Sequence, residues 1–212
     1  MDLRSVRRLV VAASLMLAFE APPLVAGNGT AHSAPVIQTN HRLLHARLEA
    51  IYRRSPLWRQ ALDQLRAYRR QVVVVTPEQV VVKDSADAAG GEPFDPSVIA
   101  AAAPIPGPDN RLDVVLVVVN LPLLQSLYLQ SAAPPSGLHG DIDRILIHEV
   151  YGHAIPYLLA GDLSGRCSDP EPGERAADAC SVRRENAVRE ELRLGRRRSY
   201  GVHDLAIVRQ GH

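Results

Sequence analysis

The sequence predicts an α+β domain, and three observations carry that expectation. A helical period runs over residues 41–70, β-branched runs follow at 72–75, 80–82 and 113–120, and the C-terminal half returns to helical patterning. The expected architecture is a compact one: a small sheet, a helix beside it and a second helix in the C-terminal half.

The chain has 212 residues, of which 46% are hydrophobic and 22% charged, with a formal net charge of +1. That is the balance of one globular domain. It excludes a nucleic-acid binder that works by bulk phosphate neutralisation. An aromatic content of 4% argues against stacking platforms for bases or sugars. Cys167 and Cys180 are the only cysteines, too few for a disulfide-dense scaffold or a four-cysteine metal site.

Each element has its own justification, starting from the N-terminus. Arg4, Arg7 and Arg8 precede the apolar run 9–19, and the small residues Val25, Ala26 and Gly27 follow, which is the layout of a secretory signal. An apolar core of about eleven residues is short of the roughly 20 that a membrane span needs. The expectation is a signal peptide at 1–26, cleaved after Ala26 or after Ala34, with a flexible segment at 27–40 and the folded domain at 41–212. The mature chain is then secreted or periplasmic, without stable membrane insertion.

Leu44, Leu48, Ile51 and Tyr52, then Trp58, Leu62, Leu65 and Tyr68, keep a spacing of three and four residues. They predict one amphipathic helix interrupted at Ser55-Pro56, or two short ones, with Ser55 as cap and Pro56 in the first turn, where its missing N–H costs nothing. Residues 72–75 and 80–82 read as two short strands around the turn Thr76-Pro77-Glu78-Gln79. The stretch 84–110, with Gly90, Gly91 and several prolines, reads as a long, loosely structured connection. Residues 113–120 form the clearest buried strand, taken as an edge that pairs with substrate, and 121–130 continue as an extended or helical edge. A Pro/Gly linker is expected at 132–140.

The chemistry concentrates between His148 and Asn186. An apolar approach through Ile142, Ile145, Leu146 and Ile147 leads into His148-Glu149-Val150-Tyr151-Gly152-His153. In zinc proteases the two helical histidines stand four residues apart, with a glutamate beside the first as general base. Here the spacing is five, which on a regular helix rotates the second side chain by about 140° relative to the first. One residue must be absorbed. Pro156 has no N–H to return to the carbonyl of residue 152, and glycine there tolerates a bulged, π-like turn that brings both imidazoles to one side.

The string His148-Glu149-x-x-Gly152-His153 resembles the HExxGH motif of the dipeptidyl peptidase III family of zinc exopeptidases. Glu174-Arg175-Ala176-Ala177-Asp178 is similar to that family's second motif, and the likeness extends to these two motifs. The pattern is also similar to that of the broader gluzincin clan of zinc peptidases, which takes its third ligand from such a glutamate, and carried over it implies that His148, His153 and Glu174 hold a Zn²⁺ ion, that Glu149 activates water and that Asp178 orients an imidazole. A looser resemblance, over about residues 55–201, is to compact effector-type and toxin-type bacterial metallopeptidase domains, through the Ser-Pro helix, the His-Glu helix and Ser181-Val182-Arg183-Arg184-Glu185-Asn186 with Arg189. In that alignment Asp178 or Glu185 competes with Glu174 as third ligand. A helix starting near Glu174 would put Glu185 about 16 Å further along its axis, which favours Glu174 and Asp178.

The function these resemblances imply is peptide-bond hydrolysis by zinc-bound water with Glu149 as general base, acting on a peptide or protein substrate. The alternatives are a secreted zinc-binding interaction domain without activity and a helical structural protein without metal. An exported chain with two cysteines thirteen positions apart should close the Cys167–Cys180 disulfide and so fix the start of the ligand helix. The competing use of those thiols, a structural zinc shared with two histidines, needs free thiolates in an oxidising compartment. Tyr157 and His203 are possible oxyanion donors, although a packed tyrosine and a solvated histidine are the simpler readings. Tyr151 is expected to pack beside the site, and the basic run 193–198 to be a solvated helix end.

Overall fold

The computed structural model of the chain describes residues 36–82, 92–93, 95–107, 109–131, 136–165, 167, 179–198 and 205. The expected signal peptide, Glu174, Asp178 and His203 lie outside them. The described chain is a small sheet packed with helices, as the α+β expectation requires. No helix among the described residues is long and apolar enough to cross a membrane.

The expected interruption at Ser55 separates α1 (Arg42–Arg54) from α2 (Pro56–Ala67). Ser55 Oγ accepts the Trp58 N–H at 3.0 Å and Pro56 opens the helix, so two of the unpaired donors of a helix start are dealt with by sequence alone. Leu44, Leu48 and Ile51 on α1, and Trp58, Ala61, Leu62 and Leu65 on α2, form the buried stripe that their spacing predicts.

Before these helices lies β1 (Ile37–Gln38), and after them β2 (Gln71–Val75), with which β1 pairs in parallel. Parallel neighbours need a crossover connection, which α1 and α2 supply. The end of the segment expected to be flexible is therefore built into the sheet, with Val36 buried against the core. The second β run corrects the hairpin reading. β3 (Val81–Val82) pairs with β4 (Glu92–Pro93) in a separate two-stranded ribbon, while β2 pairs in parallel with β6 (Leu112–Val119). The turn at residues 76–79 closes as a short 3₁₀ helix and directs β3 away from β2.

Residues 84–110 are not simply a loose connection, because they contain β5 (Ala100–Pro106), antiparallel to β6. The strand order is β1-β2-β6-β5. This overturns the reading of 113–120 as an edge. β6 is interior, and β5 is the edge on that side. Val72, Val74, Val115, Val117 and Val119 are buried on one face of the sheet, while Val73, Val114 and Leu116 are half-buried on the other. The four-alanine start of β5, with prolines at 104 and 106, lacks the β-branched composition that marks a strand, which hid it from sequence reasoning.

Asn120 caps α3 (Leu121–Gln130) by accepting the Leu123 N–H, resolving the extended-or-helical question for 121–130. The expected linker at 132–140 is helical from residue 136, where α4 (Ser136–Leu146) begins. α4 runs without a break into a π-helix (Ile147–Ala154) and then α5 (Ile155–Ala160). Gly161 ends α5 at φ +82°, where an added Cβ would strike the Arg70 guanidinium, so that position needs glycine. The last described helix is α6 (Cys180–Glu191), packed on the π-helix and on α2. Glu191 accepts from Ser55 Oγ and from the Leu57 N–H, so α6 completes the cap of α2.

The Cys167–Cys180 disulfide is present, with a Cα–Cα distance of 5.4 Å. Closing a loop of this length contributes about 3 kcal/mol in the chain-entropy model. It fixes the first residue of α6 to the segment that follows α5.

Candidate metal centre

The site begins with one irregular stretch of helix. Five residues of α-helix would turn His153 away from His148, but residues 147–154 adopt a π-helical register in which the Ile155 N–H bonds the Val150 carbonyl, five residues back. Residues five apart then stand nearly one above the other. His148 Nε2 and His153 Nε2 lie 3.2 Å apart, with their rings nearly perpendicular. The bulged turn expected from Gly152 and Pro156 is thus what the helix adopts.

Gly152 has a second role across the helix interface. A Cβ at this position would lie 3.3 Å from the Ser181 carbonyl oxygen and 3.7 Å from Ser181 Cβ, so glycine lets α6 approach the π-helix closely. Two effects of Gly152→Ala oppose each other. Alanine in an uncrowded helix interior gains about 1 kcal/mol over glycine, whereas overpacking a close contact costs about 1–3 kcal/mol. Because the contact is to backbone and not to the end of a flexible side chain, overpacking should win. Gly152→Ala is expected to lose about 1 kcal/mol in chemical denaturation, and a gain would show that α6 has room to move.

α6 supplies the partner of His148. Val182, Glu185, Arg189 and Leu192 follow one another at steps of three, four and three, and all four are buried. A carboxylate and a guanidinium therefore sit within an apolar stripe. Glu185, 1% exposed, places Oε2 3.0 Å from His148 Nδ1, and its Oε1 accepts from Arg189 Nη1 at 2.7 Å. Arg197 Nη1 lies 3.0 Å from both Glu185 Oε2 and His148 Nδ1. Burial alone raises the Glu185 pKa, but the hydrogen bond and charge of His148 and the charges of Arg197 and Arg189 outweigh it and hold the carboxyl at about 2. An ionised carboxylate only accepts hydrogen bonds. A neutral His148 that donates from Nδ1 to this carboxylate keeps its Nε2 lone pair toward His153.

Glu185 meets the ring of His148 at Nδ1, on the other side from Nε2, and is placed to orient the imidazole. α6 begins at Cys180, with the extended residue Ala179 before it, so Glu185 falls in its second turn and not far along a helix that starts near residue 174. The basic run is also corrected in one position. Arg196 and Arg198 are exposed, as a solvated helix end requires, but Arg197 is buried.

Glu149 is buried beside the pair, with Oε1 4.0 Å from His148 Nε2. That separation places its carboxylate next to the converging nitrogens. Tyr151 turns to a different side and stacks on Trp58 at a centroid distance of 6.1 Å, and Tyr157 packs in the core. Both are the packing roles expected.

No family model, curated protein or solved structure matches this chain. The metal reading is therefore tested on the donor set itself. Two nitrogens each about 2.0–2.1 Å from one tetrahedral zinc stand about 3.3–3.4 Å apart, close to the 3.2 Å between the two Nε2 atoms. The contact of His148 Nδ1 with a buried carboxylate is a second feature that a ligating histidine typically has. The pair fits zinc. Among the described residues no group of three His, Cys, Asp or Glu closes around a metal, and the third ligand expected at Glu174 lies outside them.

Proposed function

We propose that this chain is an exported zinc-dependent peptidase in which His148 and His153 are ligands, Glu174 is the third ligand, Asp178 steadies the ligand set and Glu149 is the general base. The single observation that carries the reading is the π-helical turn that converges the two Nε2 atoms while a buried glutamate holds the far side of His148. A helix does not adopt that register at a histidine pair for packing alone at no cost, since π-turns are rare and concentrate at functional sites.

When bound, zinc would polarise the scissile carbonyl and make a water acidic near neutral pH. The residues of the chain do the rest. Glu149 takes a proton from the attacking water as its oxygen bonds to the carbonyl carbon. The same carboxyl then gives that proton to the amine nitrogen as the C–N bond breaks, so Glu149 ends as it began. Glu185 favours the His148 tautomer whose Nε2 lone pair faces His153, and the disulfide suits an oxidising, extracytoplasmic compartment.

The edge strand supports a peptide as substrate. The Asn120 N–H bonds the Ile99 carbonyl, so the alternate pairs Ala101 with Val118 and Ala103 with Leu116 are the hydrogen-bonded ones. Ala100 and Ala102 therefore turn their N–H and C=O groups outward, where an extended peptide can add as a strand. Pro104, in the same outward set, has no N–H and stops that pairing short.

The test is zinc stoichiometry and hydrolysis of a peptide library by the purified mature chain, before and after chelation. One zinc per chain and turnover that disappears with the metal and returns with it are expected, and His153→Ala should bind none. Zinc without hydrolysis would leave a zinc-binding interaction domain, and no zinc on isolation or on titration would remove the metal reading altogether.

A further inference from the structure

We propose that Arg197 is a positioning residue of the metal centre, carried back onto α6 by the strap of residues 194–198 to hold Glu185 and, through it, His148. The inference rests on the reading of His148 as a ligand given above. Its observation is separate: one arginine of an otherwise solvated basic run is buried against the ligand's partner.

The strap is anchored on the turn of α6 that carries Glu185. The side-chain amide of Asn186 binds Arg197 at both backbone groups, accepting its N–H at 2.6 Å and donating to its C=O at 3.1 Å. The Gly195 carbonyl accepts from Arg189 Nε at 2.8 Å. Arg193 and Gly195, both at positive φ, turn the chain back after α6 ends. With the backbone fixed in this way, Arg197 Nη1 reaches Glu185 Oε2 and the Nδ1 edge of His148, 3.0 Å from each.

Arg189 alone would hold only one carboxylate oxygen, leaving the group able to turn about its last torsion. Arg197 holds the other. With both oxygens fixed, the plane of the carboxylate is fixed, and the Nδ1–H of His148 has one place to point. A guanidinium only donates and cannot take a proton from Nδ1, and in the proposed arrangement the Nδ1–H of His148 and the Nη1–H of Arg197 both point to Glu185 Oε2. The metal centre is then completed by chain that lies beyond α6, the helix that carries Glu185. Partners of a ligating histidine typically change metal affinity by about 10–100-fold when removed.

The experiment compares the full chain with Arg197→Met, Arg197→Lys and, as control, Arg196→Met, whose exposed arginine pairs with Glu190. Zinc affinity is read by competition with a chromophoric chelator, the fold of the metal-free protein by circular dichroism, and the His148 tautomer by long-range ¹⁵N–¹H correlation in metal-free protein. Arg197→Met should weaken zinc about 10–100-fold with the fold retained and mix the two His148 tautomers. Arg197→Lys should restore part of both, and Arg196→Met should change neither. Wild-type affinity and tautomer in Arg197→Met overturn the proposal, as does lost affinity with the tautomer unchanged. Should Arg197→Met not fold, the wild-type spectrum decides, because a His148 proton on Nε2 overturns it directly. A wild-type chain that binds no zinc defeats the metal reading instead, and the tautomer comparison still tests the strap.

Discussion

Glu185→Ala is expected to cost about 3–5 kcal/mol of folding free energy, a range set by the removal of one partner from a buried ion pair. The carboxylate lies between Arg189, itself 1% exposed, and Arg197, with His148 as its third neighbour. Truncation leaves two guanidiniums in a desolvated pocket with their shared counter-charge gone, and Arg189 cannot swing to water without breaking its bond to the Gly195 carbonyl. For a domain of this size that loss lowers the thermal midpoint by roughly 6–20 °C. Glu190→Ala is the contrast on the same helix. Its pair with Arg196 is solvent-exposed on both sides, and surface pairs contribute about 0–1 kcal/mol. Denaturation of both variants in the presence of a chelator separates fold from metal. A cost below 1 kcal/mol for Glu185→Ala would mean that the two arginines do reach water.

The helices that frame the core were legible because their information is local. The apolar spacing of α1 and α2, the Ser55 cap and Pro56 all act within a turn or two of the chain, and the structure follows them. The π-turn was legible for the same reason. A histidine spacing that fails on a regular helix, with glycine and proline at the right places, is a local conflict with a local solution. Sheet order was not legible. Whether β2 pairs with β3 or with β6 depends on contacts between residues 71–75 and 114–118, which no turn chemistry encodes. β5 was hidden by its composition, since alanines and prolines become a strand there only because β6 offers an edge.

The partner of His148 falls between these cases. Glu185 and Arg189 occupy the core positions of a stripe that begins with Val182 and ends with Leu192, and charges at core positions of an amphipathic pattern mark a buried pair in need of further partners. That signal is present in the sequence and could have separated Glu185 from Glu190, the exposed acid of the same helix. Arg197 carries no such mark. It stands between two exposed arginines, and only the turn at Arg193 and Gly195 with the Asn186 anchor selects it for burial. A site built from a local helix distortion and a long-range strap is thus half readable from sequence.

The largest effect on activity is expected at Glu149. Glu149→Gln keeps the size of the side chain and its place beside His148 Nε2, but an amide accepts no proton at neutral pH. General acid–base catalysis by a positioned side chain typically contributes about 10²–10⁴-fold, so kcat/KM for peptide hydrolysis should fall by at least that range. It serves twice in the proposed cycle, toward the water and toward the leaving amine, and both steps lose it together. Zinc content should stay near one per chain, because Glu149 lies beside the ligand nitrogens and is not counted among the ligands. The folded state should be preserved as well: Gln retains an oxygen acceptor and exchanges the other oxygen for a donor. His148→Ala, by comparison, should lose metal and activity together. A Glu149→Gln enzyme that keeps zinc and turns over peptide at the wild-type rate would sink the general-base assignment while leaving the metal centre standing. One that loses its zinc would instead place Glu149 among the ligands.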